Sequence, residues 1–261
     1  MSGLRRDLRL AGWQLLYEQR AFWRNRARAF FAFLFPIVFL VMFCAIFHNQ
    51  SVRVAPGRSI TYVTFFVPGI LAYGVIATTY VNMAIGTAVL RDEGVLKRMA
   101  GTPLPRWVYV SARLASTAVV TIAMTAVTLA IGHFVYNAEV RGATLPGLLA
   151  TLVLGSATFT ALGVGIVRYI GNAEAAPAVV NITILPLTFI SGIWFHFKLS
   201  TLLTDIAKVF PVRALAHGLQ YAFNPFTKGA GFESSDLGTL AVWLAVGIVL
   251  MLRFLRNPEH V

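Results

Sequence analysis

Long uncharged apolar runs alternate with short charged segments along the chain, and the gaps between successive charges predict its elements. A helix needs about 20 residues to cross the hydrocarbon core of a bilayer. The first gap, residues 29–47 (AFFAFLFPIVFLVMFCAIF), holds thirteen Leu, Ile, Val or Phe residues. At roughly −0.3 to −0.6 kcal/mol each at mid-membrane, they contribute roughly −4 to −8 kcal/mol as an upper bound, so insertion needs no further help. The run is too long for a cleaved signal peptide, and no small-residue cleavage site follows it. The remaining gaps predict crossings at 65–88, 114–136, 144–167, 175–197 and 237–255, the last lengthened if Arg253 snorkels to the headgroups. Pro36, Pro68, Pro177 and Pro186 predict kinks in their helices. The expected fold is therefore an all-α integral membrane protein, with residues 1–28 as a cytoplasmic or interfacial segment and 29–261 as a domain of six transmembrane helices.

The segments between the spans carry their own periodicity. In residues 4–28, Leu8, Trp13, Leu16, Tyr17, Phe22 and Trp23 can form one face of an N-terminal interfacial helix, with Arg and Gln toward water. Residues 91–106 (RDEGVLKRMAGTPLPR) predict a short helix from Asp92 to Ala100, stopped by Gly101 and stiffened by Pro103 and Pro105. Such a helix, carrying both charge signs, suits a docking element; a solvated loop is the other reading. From Lys198 to Asp236 two more amphipathic stretches follow i, i+3, i+4 spacing, one over Leu199–Phe210 and one after Pro211. They predict an outer hairpin lying against the leaflet or shallowly re-entrant in it.

Composition narrows the class. Of 261 residues, 57% are apolar and 12% charged, with a mean hydropathy of +0.73. A soluble core of this size would need a more charged shell, and disorder is excluded by the apolar excess. The net charge of +12 would suit nucleic acid, but the basic residues are few and separated by long uncharged runs, so no nucleic-acid partner is expected. Sorted by side, fifteen Lys and Arg fall with the termini and seven opposite. The rule that basic loops stay inside puts both termini in the cytoplasm of a multi-pass cell-membrane protein.

Catalytic chemistry is sparse. Cys44 is the sole cysteine, so an internal disulfide or a cysteine-based metal site is excluded. No phosphate-binding loop, HExxH or GxSxG pattern occurs, and His48, His133, His196, His217 and His260 are dispersed. No predicted span contains Asp or Glu, which argues against a proton-driven carrier. Glu174 lies nearest, with Arg168 as its expected partner. Asn82 and Asn181 are the deeper polar residues, able to hydrogen-bond across helices. Ala157, Ala161 and Gly165 form a small-xxx-small seam for close helix or dimer packing. The Phe-rich first span faces either lipid or an apolar substrate path, for which Phe35, Phe39, Tyr73, Asn82 and Asn181 are the candidates.

The stretch RDEGVLKRMAGTPLPRWVYVSARL (91–114) resembles the cytoplasmic loop of ABC type-2 transporter permeases, particularly the daunorubicin-resistance type. Glu93, Gly94, Leu96, Lys97, Arg98, Thr102, Pro103, Leu104 and Trp107 carry the likeness, and SGIWF (191–195) followed by Phe210-Pro211 is a second echo. Where family members often place prolines after that segment, this chain has Phe197, Lys198 and Ser200. The resemblance implies a permease paired with an identical or sister permease, as homodimer or heterodimer, on two ATPase subunits. ATP and Mg would be bound by those subunits, with no cofactor on this chain. The 92–101 segment would be a coupling helix seated in an ATPase cleft, with Asp92, Glu93, Gly94, Leu96, Lys97, Arg98 and Met99 as its coupling residues. The implied activity is export of drugs or antibiotics, or alternatively of lipid or lipid-linked glycan. An ion-coupled carrier or channel is the competing class, and a membrane enzyme is not expected.

Overall fold

A computed structural model describes residues 2–47, 49–100, 106–194 and 200–256. The chain begins with α1 (Ser2–Arg24) and the short α2 (Arg26–Ala29), then passes through a π-helical turn, Phe30–Leu34, into α3 (Phe35–Phe47). A two-stranded antiparallel hairpin follows, β1 (Ser51–Ala55) on β2 (Arg58–Thr61), turning through Gly57 at a φ of 71°. Thr61 caps the next helix by accepting from the Thr64 N–H at 3.3 Å. That helix, α4 (Tyr62–Ile76), continues through a second π-helical turn, Ala77–Val81, into α5 (Asn82–Asp92). Then come α6 (Val95–Ala100), α7 (Arg106–Tyr136), α8 (Leu145–Ile166), α9 (Ala176–Ile190), α10 (Thr201–Val209), α11 (Pro211–Phe223) and α12 (Ser234–Arg256).

Among the described residues, five helical stretches are long and apolar enough to cross a membrane: Phe30–Phe47, Tyr62–Asp92, Ser111–Tyr136, Gly142–Tyr169 and Ser234–Leu255. The predicted 175–197 crossing corresponds to a shorter apolar helix, Ala176–Ile190. It ends early because Gly192, at a φ of +75°, turns the chain after Ser191. Residues 195–197 of that predicted span lie outside the described residues. Two other boundaries differ from expectation. The helix of the third crossing begins at Arg106, well before 114, because Arg113 faces Glu18 of α1 at 3.9 Å instead of interrupting the helix. The loop helix begins at Val95 and not at Asp92, because α5 itself runs on to Asp92. Pro177 sits in the first turn of α9, where its missing N–H costs nothing, so it starts that helix without kinking it.

Helix α4 is the central pillar. Phe66, Val67, Ile70, Leu71, Ala72 and Ile76 are all fully buried, so the helix is apolar on every face, as an interior helix must be. It packs against α3, α7 and α11. Helices α8 and α12 run side by side and parallel, held where the Thr158 hydroxyl donates to the Leu240 carbonyl at 3.0 Å. Helix α11 inserts between α4, α8 and α12. Its Leu215 stands against Gly155, its Gly218 against Thr151, and its Ala222 carbonyl accepts from the Thr144 hydroxyl at 2.7 Å, so α11 runs antiparallel to α8.

The bundle has a hairpin end, with β1 and β2, and a basic end, where α5, α8 and α12 finish and α7 begins. At the hairpin end Arg141 donates to the Pro225 and Thr227 carbonyls at 2.9 and 3.3 Å, and the Gly147 N–H donates to the Ala230 carbonyl at 2.9 Å.

Helix α1 lies along α7, and one polar residue departs from the expected faces. Gln19, expected in water, donates to the Ser116 carbonyl and hydroxyl at 2.8 and 2.9 Å. Of the apolar face, Phe22 is buried beside Ala32 and Val120, whereas Trp13, Leu16, Tyr17 and Trp23 are exposed. The Leu8 side chain lies outside the described residues.

Candidate functional site

At the basic end, the turn from α5 to α6 is built on Gly94. Its φ of +67° is the left-handed conformation that closes a helix C-terminus, and its N–H donates to the Arg91 carbonyl at 3.0 Å. The Gly94 carbonyl then accepts from the Arg98 N–H at 3.0 Å, which begins α6, and the Arg98 guanidinium donates to the Glu93 carbonyl at 3.1 Å. Glu93 and Lys97 are exposed, as is Arg98. The tip therefore presents one acid and two bases on a helix whose entry angle is set by a glycine. The Leu96 and Met99 side chains lie outside the described residues.

Asp92 is oriented differently from the other candidates in this loop. Its Oδ2 accepts from the Ala173 N–H, and its Oδ1 accepts from Arg91 at 2.9 and 3.0 Å. It stays exposed at the surface while bonding the loop between α8 and α9. Arg91, read from the sequence only as part of the charged loop, is the centre of this arrangement. It donates to the Val167, Ile170 and Gly171 carbonyls at 3.1, 2.7 and 3.2 Å. A basic residue in the last turn of a helix was a visible signal, but its partners lie 76 to 80 residues away and no local pattern names them. Among the described residues no ion pair joins Glu174 to Arg168.

Phe35, Phe39 and Tyr73 come together, with ring centroids 4.5 Å apart for Phe35 and Phe39 and 5.9 Å for Phe35 and Tyr73. Trp194, which the sequence reading did not single out as a site residue, completes the cluster at 5.4 Å from Phe39 and 5.1 Å from Tyr73. Its indole N–H donates to the Thr188 hydroxyl at 3.2 Å, as a buried indole requires. The aromatic wall continues through Phe43, stacked on Phe66 at 5.2 Å, to Tyr62, stacked on Phe66 at 5.3 Å. Asn82 and Asn181 are not part of it. Asn82 is half-buried and Asn181 exposed, and among the described residues neither makes an interhelical hydrogen bond.

Of the small-residue seam, Ala161 and Gly165 lie against α12, at Gly247 and Leu250, and Ala157 and Ala161 line a groove of about 590 Å³ between α7, α8 and α12. Thr117, Thr121 and Thr160 also line this groove. Their hydroxyls donate to backbone carbonyls of their own helices at 3.1, 2.9 and 2.7 Å, which leaves an essentially apolar lining. Among the described residues no cluster of His, Cys, Asp or Glu could hold a metal ion.

An apolar bundle with several helices long enough to cross a bilayer fits a multi-pass membrane protein. The sequence profile of the ABC-2 type transporter family matches residues 13–224, and the chain belongs to that family. It is thus the membrane subunit of an ABC transporter and not an enzyme. The chain is similar to the inner membrane transport permease YadH of Escherichia coli (strain K12) and of Shigella flexneri. Each is 23% identical over 194 residues, spanning 72% of this chain and 73% of the relative.

Proposed function

We propose that this chain is the permease of an ATP-driven exporter that moves hydrophobic or amphipathic compounds, drugs or antibiotics among them, out of the cytoplasm or the inner leaflet. The observation that carries this reading is α6, a charged helix set on the Gly94 turn at the basic end, positioned to seat in a cleft of an ATP-binding subunit. The shorter α9 is the fifth of six crossings, which puts both termini on the cytoplasmic side with most of the basic residues. Two permease chains, identical or paired with a sister, stand on two ATPase subunits that bind the ATP and Mg.

The α10–α11 hairpin re-enters the membrane from outside. Leu215 meets α8 at Gly155, ten residues past Leu145, and a rise of 1.5 Å per residue places that contact about 15 Å along the helix. That is about half of a hydrocarbon core of about 30 Å. The turn between α10 and α11 reaches a similar depth on α12, where the Trp243 indole donates to the Val209 carbonyl at 2.7 Å. The aromatic wall lies on the inner side of α3 and forms the apolar side of the substrate path.

The test is reconstitution with the ATP-binding subunit in liposomes, with ATP-dependent transport measured over a panel of drugs, lipids and lipid-linked glycans. Glu93→Lys combined with Leu96→Asp is expected to abolish both ATPase association and transport. Retention of both would refute the role of α6, and gradient-driven transport without the ATPase would assign the chain to secondary carriers.

A further inference from the structure

Arg91 belongs to α5, yet it caps α8. Its guanidinium has five N–H donors in a rigid planar fork, and five hydrogen bonds account for them. Nε donates to Asp92 Oδ1, Nη1 to the Val167 and Ile170 carbonyls, and Nη2 to Asp92 Oδ1 and the Gly171 carbonyl. The three carbonyls come from the 3-10 turn Val167–Tyr169 that continues α8 and from the loop after it, next to the negative end of that helix's dipole, where a cation is well placed. Asp92 completes the joint by accepting from the Ala173 N–H two residues further along the same loop. Asn172 in turn accepts from the Ala175 N–H at 2.8 Å and leads the chain into α9.

The joint is continuous with the docking helix. Arg98 of α6 bonds the Glu93 carbonyl, and the Gly94 N–H bonds the Arg91 carbonyl, so α6, the end of α5 and the 167–173 loop share one hydrogen-bonded network. At its other end α5 meets the π-helical turn Ala77–Val81, where regular helical bonding is interrupted and the outer half, α4, begins. π-Helical turns of this kind often mark functional sites inside helices.

We infer that Arg91 is a positioning residue for energy coupling: it fastens the loop between α8 and α9 to the α5–α6 turn, so that these segments move as one body when the ATPase pulls on α6. The inference rests on the proposed exporter function and adds to it the route by which α8 and α9 receive the stroke. An Arg is required because a Lys ammonium offers three donors from a single point and cannot span carbonyls on both sides of the 167–171 turn.

The experiment uses the complex of tagged permease with its ATP-binding subunit, in nanodiscs and in a Cys44→Ala background. Spin labels at Lys97→Cys and Asn172→Cys report the distance across the joint, and labels at Asn172→Cys and Ala143→Cys report motion between the two ends of the bundle. On trapping with ATP and vanadate, the end-to-end distance is expected to change while the 97–172 distance keeps one narrow distribution. A nucleotide-driven change in the 97–172 distance would overturn the inference without any substitution at Arg91. In Arg91→Gln, and in Arg91→Lys, the ATPase is expected to co-purify as with the parent chain, but the narrow 97–172 distribution is expected to be lost. A distribution unchanged in Arg91→Gln, or restored in full by Arg91→Lys, would also overturn it. If no ATP-binding subunit associates with the parent permease, the exporter reading itself fails, a result distinct from a failed joint.

Discussion

Leu215 of α11 occupies the space that a side chain at Gly155 of α8 would need: a Cβ added there would lie 2.6 Å from Leu215 Cδ1. The buried α11 approaches α8 this closely because the facing position has no side chain. Gly155→Ala must push back only the flexible end of a leucine, so a cost of about 1 kcal/mol is expected, within the range for mild overpacking. Gly147→Ala should cost more, because its Cβ would meet the Gly231 backbone carbonyl, which has no rotamer to change. Thermal unfolding of the purified permease, followed by intrinsic fluorescence, is expected to rank the variants in that order. Leu215→Ala should relieve the crowding in Gly155→Ala specifically.

The Gly94 turn makes a separate prediction. A Cβ there meets no neighbouring atom, so any penalty comes from the positive φ alone, roughly 1–2 kcal/mol for a residue other than glycine. Gly94→Ala is expected to weaken ATPase association by about tenfold with little change in permease expression, and Gly94→Asn to fall between the two. Titration of the immobilised permease with the ATP-binding subunit measures both.

Helix α1 should detach in Gln19→Ala. That substitution removes two hydrogen bonds to Ser116, each contributing about 1 kcal/mol, at a partly buried contact. Limited proteolysis within α1 is the readout, with faster cleavage expected in the variant. Quenching of Trp13 and Trp23 by brominated lipids tests whether their exposed rings sit at the headgroup level.

Trp194→Ala is expected to destabilise the fold by about 3–5 kcal/mol, the range for truncating a buried aromatic. The loss should spread through Phe39 and Tyr73, whose rings it touches. Trp194→Phe keeps the edge contacts and loses the bond to Thr188, so it should retain most of the stability. Comparison of the melting transitions decides between these outcomes.

Much of this structure is written in local pattern. The first crossing and the pair of short helices either side of Pro211 follow from runs and punctuation that lie within a few residues of one another, whereas the break at Gly94 was read through as helix. The inward placement of Gln19 was not legible, because it bonds a residue nearly a hundred positions away. Asp92 and Arg91 show the same limit. Asp92 is the surface carboxylate that a charged loop suggests, but its bond to the Ala173 N–H depends on the approach of the 167–173 loop. The aromatic cluster was partly visible: Phe35 and Phe39 share a helix face, whereas Trp194 reaches them across the fold.

The fifteen residues of α9 span about 22 Å at 1.5 Å per residue, several ångströms short of a bilayer core of about 30 Å. Its outward side, with Ile182, Leu185 and Phe189 exposed, matches a thinner membrane than the longer helices do. On the proposed six-crossing reading, lipid beside α9 compresses, at a cost of fractions of a kcal/mol per ångström. A transporter built this way carries its own dimple in the bilayer, and its activity should depend on acyl-chain length, being greatest in short-chain lipid where that dimple is already relaxed.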